Sequence, residues 1–368
     1  YNMIYVTLIS TIPPMLGVEN FNGSGELFRT YSPVTLSHDW PKLARLLLML
    51  FCSSFGSTMN GFFIASFFVE HTLRKFGNVF LACVGLADFL ITTGMTPVSA
   101  VVILSGQWDI VPVCKVLQCV GLTSTYCYSI YFAFVAVENY YRICRPQEEY
   151  ALFLSMRIDI ICLLIFVLSA TLSGVGVYLD LDYDYCEREH YGDFVFRIST
   201  TVMFQAIPAI LTITCLFTAS TRVKRRARQQ IKYKRSQLYE REYSITAINI
   251  TAYLLYIIAW TPYVVVVHEF PNTSDSVYYN TITIGLFRSA LTSSLYGIFN
   301  RSFRRAYGHL FNYCCCKSSL SGSFSNRHRR ALEYKSTIGD VRVHIMHQAI
   351  TTGNQQRAVS CLRETQEL

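Results

Sequence analysis

Charge is scarce in this chain: 15% of its 368 residues are Asp, Glu, Lys or Arg, against 52% hydrophobic and a mean hydropathy of +0.30. Soluble domains carry about 25% charged residues, so an ordinary soluble domain, a disordered chain and a collagen-like repeat are excluded. The groupings that catalysis needs are missing as well. No nucleophile–base pair, glycine-rich phosphate loop or metal-ligand spacing recurs within or beside one apolar stretch. No enzyme, metal site or cofactor is therefore expected, and no nucleic-acid partner. The 13 cysteines do not make a disulfide framework, because Cys52, Cys83, Cys119, Cys127, Cys144, Cys162 and Cys215 lie in or beside apolar runs. Residues 1–20 lack the basic lead of a signal peptide, and the chain opens on Tyr1 rather than Met, which places its true start upstream as an expectation.

What is present is a series of long apolar runs. A helix rises 1.5 Å per residue and about 30 Å of hydrocarbon must be crossed, so about twenty apolar residues make one span. Seven segments qualify: Leu43–Val69, Asn78–Leu104, Val113–Ile143, Ile158–Leu179, Phe194–Ala219, Tyr243–His268 and Val277–Phe299. They are apolar on every face, which rules out the alternating strands of a membrane barrel. The fold class is an all-α membrane protein. Basic residues at span ends stay on the cytoplasmic side. Arg222–Glu242 holds nine basic residues and two carboxylates, or +7, whereas the loop after the fourth span holds Arg188 and six carboxylates, or −5. The N-terminus is therefore outside and the C-terminus inside. Sequons at Asn22 and Asn272 fall on the outer side, where glycans are added; a third match, Asn249, lies within a span. The organisation reads as an extracellular segment 1–42, a membrane domain 43–299, a helix and cysteine cluster 300–316, and a disordered cytoplasmic tail 317–368.

These features resemble the rhodopsin-like, or class A, G protein-coupled receptors over about Leu43–Cys316, which implies a seven-transmembrane helix bundle with a short amphipathic eighth helix. Asn60 and Asp88 stand 28 residues apart, as the family's polar pair does. Trp108, Pro208, Trp260-Thr261-Pro262, and Tyr296 with Asn300 and Phe303-Arg304-Arg305 match further family positions. Cys114 and Cys186 resemble the family's outer disulfide pair. Within the family, Glu138-Asn139-Tyr140-Tyr141-Arg142-Ile143-Cys144 and Tyr296–Tyr307 are locally similar to melatonin receptors and their invertebrate relatives. The ligand residues of that group do not carry over: its fifth-helix His is Phe204 here, its fourth-helix Asn is Gly176, and its second-loop Gln falls near Tyr178. The aminergic Asp falls on Gly121, so neither melatonin nor a biogenic amine is expected as ligand.

The resemblance implies an outer ligand cavity. Its candidate contacts are Gln118, Gly121, Leu122 and Thr125 on the third helix, Arg197, Thr201 and Phe204 on the fifth, Trp260, Tyr263 and His268 on the sixth, and Phe287 on the seventh. Arg197 and His268 suit an acidic ligand or snorkel to the headgroups, while the acidic second loop suits a cationic one. Switch positions by the same resemblance are Glu138, Asn139, Tyr140, Tyr256, Trp260, Pro262 and Tyr296. Asn139 replaces the family's Arg, so the usual acid–arginine contact at the foot of the third helix is expected to be missing. Arg288 lies inside the seventh span, where an arginine costs ~2.5–3.5 kcal/mol by insertion scales. It is expected to pair with Asp88, with Asn60 and Tyr128 as hydrogen-bonding neighbours, in the space that holds a sodium ion in the family. Cys314, Cys315 and Cys316 follow an amphipathic basic segment and are palmitoylation candidates. Phe303, Tyr307, Leu310 and Phe311 are expected on its bilayer side.

The implied function is a receptor for an unidentified extracellular ligand, transmitting to a heterotrimeric G protein or arrestin, with membrane lipid as a further partner. Two alternatives stay open. A decoy or scavenging receptor is favoured by Asn139 and by Leu216, which replaces a family Tyr. A transporter or channel predicts paired broken helices in two halves, and no such pairing is found.

Overall fold

The computed structural model describes residues 42–74, 76–105, 111–186, 191–269 and 273–316. Asn22, Trp108, Asn272 and the tail 317–368 lie outside them. Among the described residues, seven helices are long and apolar enough to cross a membrane. They are α1 (Lys42–Val69), α2 (Val79–Leu90, a π turn Ile91–Met95, and Thr96–Ser105), α3 (Val111–Cys144), α4 (Ile158–Tyr178), α5 (Phe194–Thr201, a π turn Val202–Ala206, and Ile207–Gln229), α6 (Gln237–Glu269) and α7 (Asp275–Phe299). An eighth helix, α8, runs Arg301–Cys316, and a short helix, Gln147–Leu154, lies between α3 and α4.

Two helices outrun the apolar segments. α5 continues ten residues beyond Ala219, carrying Arg226 and Arg228 in its last turn, and α6 begins at Gln237 rather than Tyr243. Hydropathy marks where lipid ends, whereas a helix continues as long as its own hydrogen bonds do. The basic stretch is thus mostly helical. The π turn in α2 sits where side chains enter its backbone ladder: Thr96 Oγ1 donates to Thr92 O (2.9 Å) and Ser57 Oγ of α1 donates to the same carbonyl (2.9 Å).

Burial sorts the faces. Leu163 and Leu164 of α4 are both 62% exposed, leucines that only lipid can cover, whereas α3 buries Tyr128, Phe132 and Ala136 completely. α3 is the central helix, packed against α2, α4 and α5. The bundle forms one unit up to Ala306, and the chain from Tyr307 belongs to a second unit. Phe303 does not face lipid as expected from the sequence. It stacks 4.7 Å from Phe63 of α1 and meets Tyr296 of α7 at 5.6 Å, which anchors the start of α8 to the bundle.

Candidate functional site

An outer cavity of about 810 Å³, counting the part open to solvent, lies among α3, α5, α6, α7 and the loop before Cys186. Of the expected contacts, Gln118, Gly121, Leu122, Thr125, Arg197, Thr201, Trp260, Tyr263 and His268 line it. Two do not. Phe204 is fully buried behind Tyr126, whose ring it stacks on at 4.3 Å, and Tyr126 takes its place on the wall. Phe287 faces α1, 6.1 Å from Phe51. Both are errors of helix rotation. The sequence reading also missed Asp182 and Tyr185, which belong to a loop.

The disulfide brings that loop in. Cys114 of α3 and Cys186 are bonded, with Cα atoms 5.8 Å apart. Lys115 Nζ donates to Asp180 Oδ1 at 2.9 Å and Gln118 Nε2 to Tyr183 O at 2.9 Å, so the loop is tied to α3 at three points. Gly192 has φ +68, and a Cβ there would lie 2.4 Å from Asp182 O. Only glycine fits where the two arms of the loop touch. Burial raises the Asp182 pKa above the usual carboxylate value, opposed by the Tyr183 amide and the Arg197 cation.

Beneath the cavity, the Trp260 ring presses on α7, where a Cβ at Gly285 would come within 3.0 Å of the indole. One turn deeper on α6, Tyr256 stacks on Tyr128 of α3 at 4.7 Å. Arg288 lies under both rings, its guanidinium carbon 4.0 Å from the Tyr128 centroid and 5.4 Å from that of Tyr256. Arg288 grips Asp88 with two donors, Nη2 to Oδ1 at 2.6 Å and Nη1 to Oδ2 at 3.2 Å, and Nη1 also reaches Thr292 Oγ1 at 3.2 Å. Asn60 stands apart from this pair, since its amide donates to Thr92 Oγ1 and Ser289 O. Tyr128 meets the guanidinium with its ring face rather than through a bond to its hydroxyl.

At the inner end, Tyr296 OH donates to Asn249 Oδ1 at 2.8 Å, so the third sequon match is a buried structural residue. Asn139 Nδ2 donates to Thr246 Oγ1 at 3.1 Å, joining α3 to α6. The expected loss of an acid–arginine contact is corrected here. Arg142, one turn further along α3, places Nη1 3.3 Å from Glu138 Oε1 and donates Nη2 to Asn139 Oδ1 at 2.6 Å. Side chains four apart share a helix face, and that spacing was available in the sequence. Glu138 also accepts from Tyr150 OH at 2.8 Å; burial, then the adjacent carboxylate, push that phenol's pKa up, which keeps it a donor. Tyr140 packs edge-on against Tyr141 and lies under Arg145. Pro262 lies within α6, and Cys314 is exposed on α8.

A family model of the seven-transmembrane receptors, rhodopsin family, matches residues 59–296. The chain belongs to that family. As a rhodopsin-like receptor it is a multi-pass plasma-membrane protein, N-terminus outside and C-terminus inside, and not an enzyme. Among curated proteins the receptor is 22% identical to the histamine H2 receptor of Rattus norvegicus over 287 residues, covering 73% of this chain and 78% of the relative. It is 24% identical to that of Cavia porcellus, covering 69% and 75%, and 23% identical to that of Homo sapiens, covering 68% and 73%. The likeness to melatonin receptors is thereby overturned. It rested on short inner-face segments, whereas these matches run the length of the bundle. A crystal structure of squid rhodopsin shares the fold, with TM-score 0.60 and 16% identity, covering 78% of this chain and 91% of that one.

Proposed function

We propose that the receptor binds a small extracellular ligand in the outer cavity and passes its occupancy along α6 to a heterotrimeric G protein or an arrestin. The observation that carries this reading is one stripe of α6. Trp260, Tyr256, Tyr253, Asn249 and Thr246 recur at intervals of four and three, which is one helix face. Each touches a partner on α3 or α7: Gly285, Tyr128, Phe132, Tyr296 and Asn139 in turn. A ligand against Trp260 and a protein at Thr246 thus act on one rigid element, and the ligand shifts the balance only if it binds the displaced arrangement better. The basic end of α5 supplies the inner docking surface. Histamine, specified in the relatives' names, is one ligand to try, although Gly121 stands where amine receptors carry their acid.

The test is a panel of G protein dissociation and arrestin recruitment assays on the expressed receptor. Thr246→Val removes the link to Asn139, a bond worth ~0.5–1.5 kcal/mol net, and is expected to raise basal output about fivefold. Unchanged basal output in every assay, with normal surface expression, would mean that this link does not hold the resting state. Silence of all partners under any stimulus would favour the decoy reading.

Acylation of Cys314, Cys315 and Cys316 fits an exposed Cys314 at the end of a basic helix. Changing all three to Ala is expected to abolish hydroxylamine-sensitive palmitate labelling; persistent labelling would place the lipid elsewhere.

A further inference from the structure

Taken as the ligand site proposed above, the outer cavity has two poles of opposite charge. Arg197, in the first turn of α5, is 8% exposed, and the groups it hydrogen-bonds or stacks on among the described residues are neutral, the Tyr183 ring 5.9 Å from its guanidinium carbon among them. Nη1 donates to Tyr191 O at 2.7 Å and Nη2 to Val267 O at 2.8 Å, with His268 Nδ1 at 3.4 Å, while Nε is buried and finds no acceptor. A guanidinium only donates, so His268 Nδ1 accepts and the ring proton lies on Nε2. Nε2 stands 3.1 Å from Thr201 Oγ1 and donates to it. The Thr201 hydroxyl hydrogen must then point elsewhere. No backbone carbonyl takes it among the described hydrogen bonds, unlike that of Thr200, which turns back to Phe196 O and Arg197 O. A buried cation with no carboxylate bonded to it is costly, and here it sits beside a second unused donor. No carboxylate hydrogen-bonds to Arg197 among the described residues.

Asp182 is the other pole and the only carboxylate on the cavity wall among the described residues. Its backbone is held by Asp182 N donating to Gly176 O at 3.0 Å and by Asp193 N donating to Leu181 O at 2.9 Å. Tyr126 and Tyr263 line the same space, and a carboxylate among aromatic faces is the chemistry that receives an ammonium group. Arg197 and Asp182 line the same cavity. Below them the floor is apolar, formed by Met95, Leu122, Ile282 and Leu286 around Trp260.

We infer that the ligand is a small zwitterion with an apolar or aromatic body, in the chemical class of a free α-amino acid. Its carboxylate is received by Arg197 and Thr201, its ammonium group by Asp182, and its side chain by the floor above Trp260. A ligand with a single charge leaves one pole unanswered.

The experiment uses the full-length receptor in nanodiscs with leucine, phenylalanine, tyrosine and tryptophan, each beside its decarboxylated amine and its deaminated acid. Thermal shift and second-messenger output are both read. At least one amino acid is expected to stabilise the receptor at a concentration about tenfold or more below both of its single-charge analogues. Arg197→Gln should remove its advantage over the amine, and Asp182→Asn its advantage over the acid. If a variant fails to reach the surface, the three-way comparison in the parent receptor still decides. An amine that matches its amino acid, or no response to any amino acid, overturns the zwitterion and leaves the transmission reading intact. Stabilisation without any G protein or arrestin response does the reverse.

Discussion

Arg288→Ala and Asp88→Ala each leave little folded receptor at the cell surface, and the double variant recovers part of the loss. This outcome is expected because the two side chains are 4% and 1% exposed and hold each other through two hydrogen bonds, the shorter 2.6 Å. Breaking one partner of a buried pair strands the other charge and typically costs ~3–5 kcal/mol, whereas removing both leaves no charge to strand. Recovery is partial because truncating an arginine opens a void beneath Tyr128 and Tyr256, and lost packing has its own cost. The guanidinium's position over two tyrosine rings adds a cation–π attraction of ~2 kcal/mol when desolvated. Melting curves of the purified variants measure the coupling. A double variant as poor as the sum of the singles would refute the pair as a unit. Because the guanidinium already supplies the positive charge beside Asp88, the parent's melting temperature is expected to be equal in sodium and in a matched large organic cation. A sodium-specific rise would show that an ion still finds room.

The second large effect concerns the outer loop. Cys114→Ser and Cys186→Ser should each cut surface expression severely, and the double variant should be no worse than either. The bond spans 72 residues of sequence, and closing a loop of that size is worth ~4 kcal/mol on the chain-entropy estimate. Lys115–Asp180 and Gln118–Tyr183 hold the same loop but lie within one turn of the bond, so they cannot replace it. The loss should extend to ligand recognition, since Asp182 stands four residues before Cys186 and reaches the cavity only because the loop is folded inward. Surface labelling with and without a reductant checks the first claim, and thermal shift with the probe set checks the second. Normal expression of both single variants would show that the other ties suffice.

Several features were readable without coordinates because the membrane imposes them. Lipid offers backbone groups no partner, so about twenty apolar residues must form a helix, and the seven runs could be counted. The basic Arg222–Glu242 stretch and the acidic loop after α4 oriented them. Arg288 inside an apolar run demanded a carboxylate partner, and few buried acids were available. Helix rotation was not readable in the same way. Phe204 and Phe287 lie within a turn of polar residues, Thr201 in one span and Arg288 in the other, yet neither lines the cavity, because sequence spacing does not fix how a helix is rotated.

The sequence by itself determined the number of spans, their orientation and the need for a partner to Arg288, because each follows from transferring charge or backbone out of water, while the class of receptor came from the resemblance of its motifs. Tertiary structure alone decided what the cavity is made of. Asp182 became part of its wall through a disulfide and a glycine that fits only one turn, and Arg197 is buried where it donates to Tyr191 O and Val267 O. Glu138 and Arg142 are adjacent by helical spacing, yet only packing showed that Asn139 turns to Thr246 instead. Such contacts depend on how helices rotate against each other, and that is settled by the sum of many small packing terms rather than by any one residue.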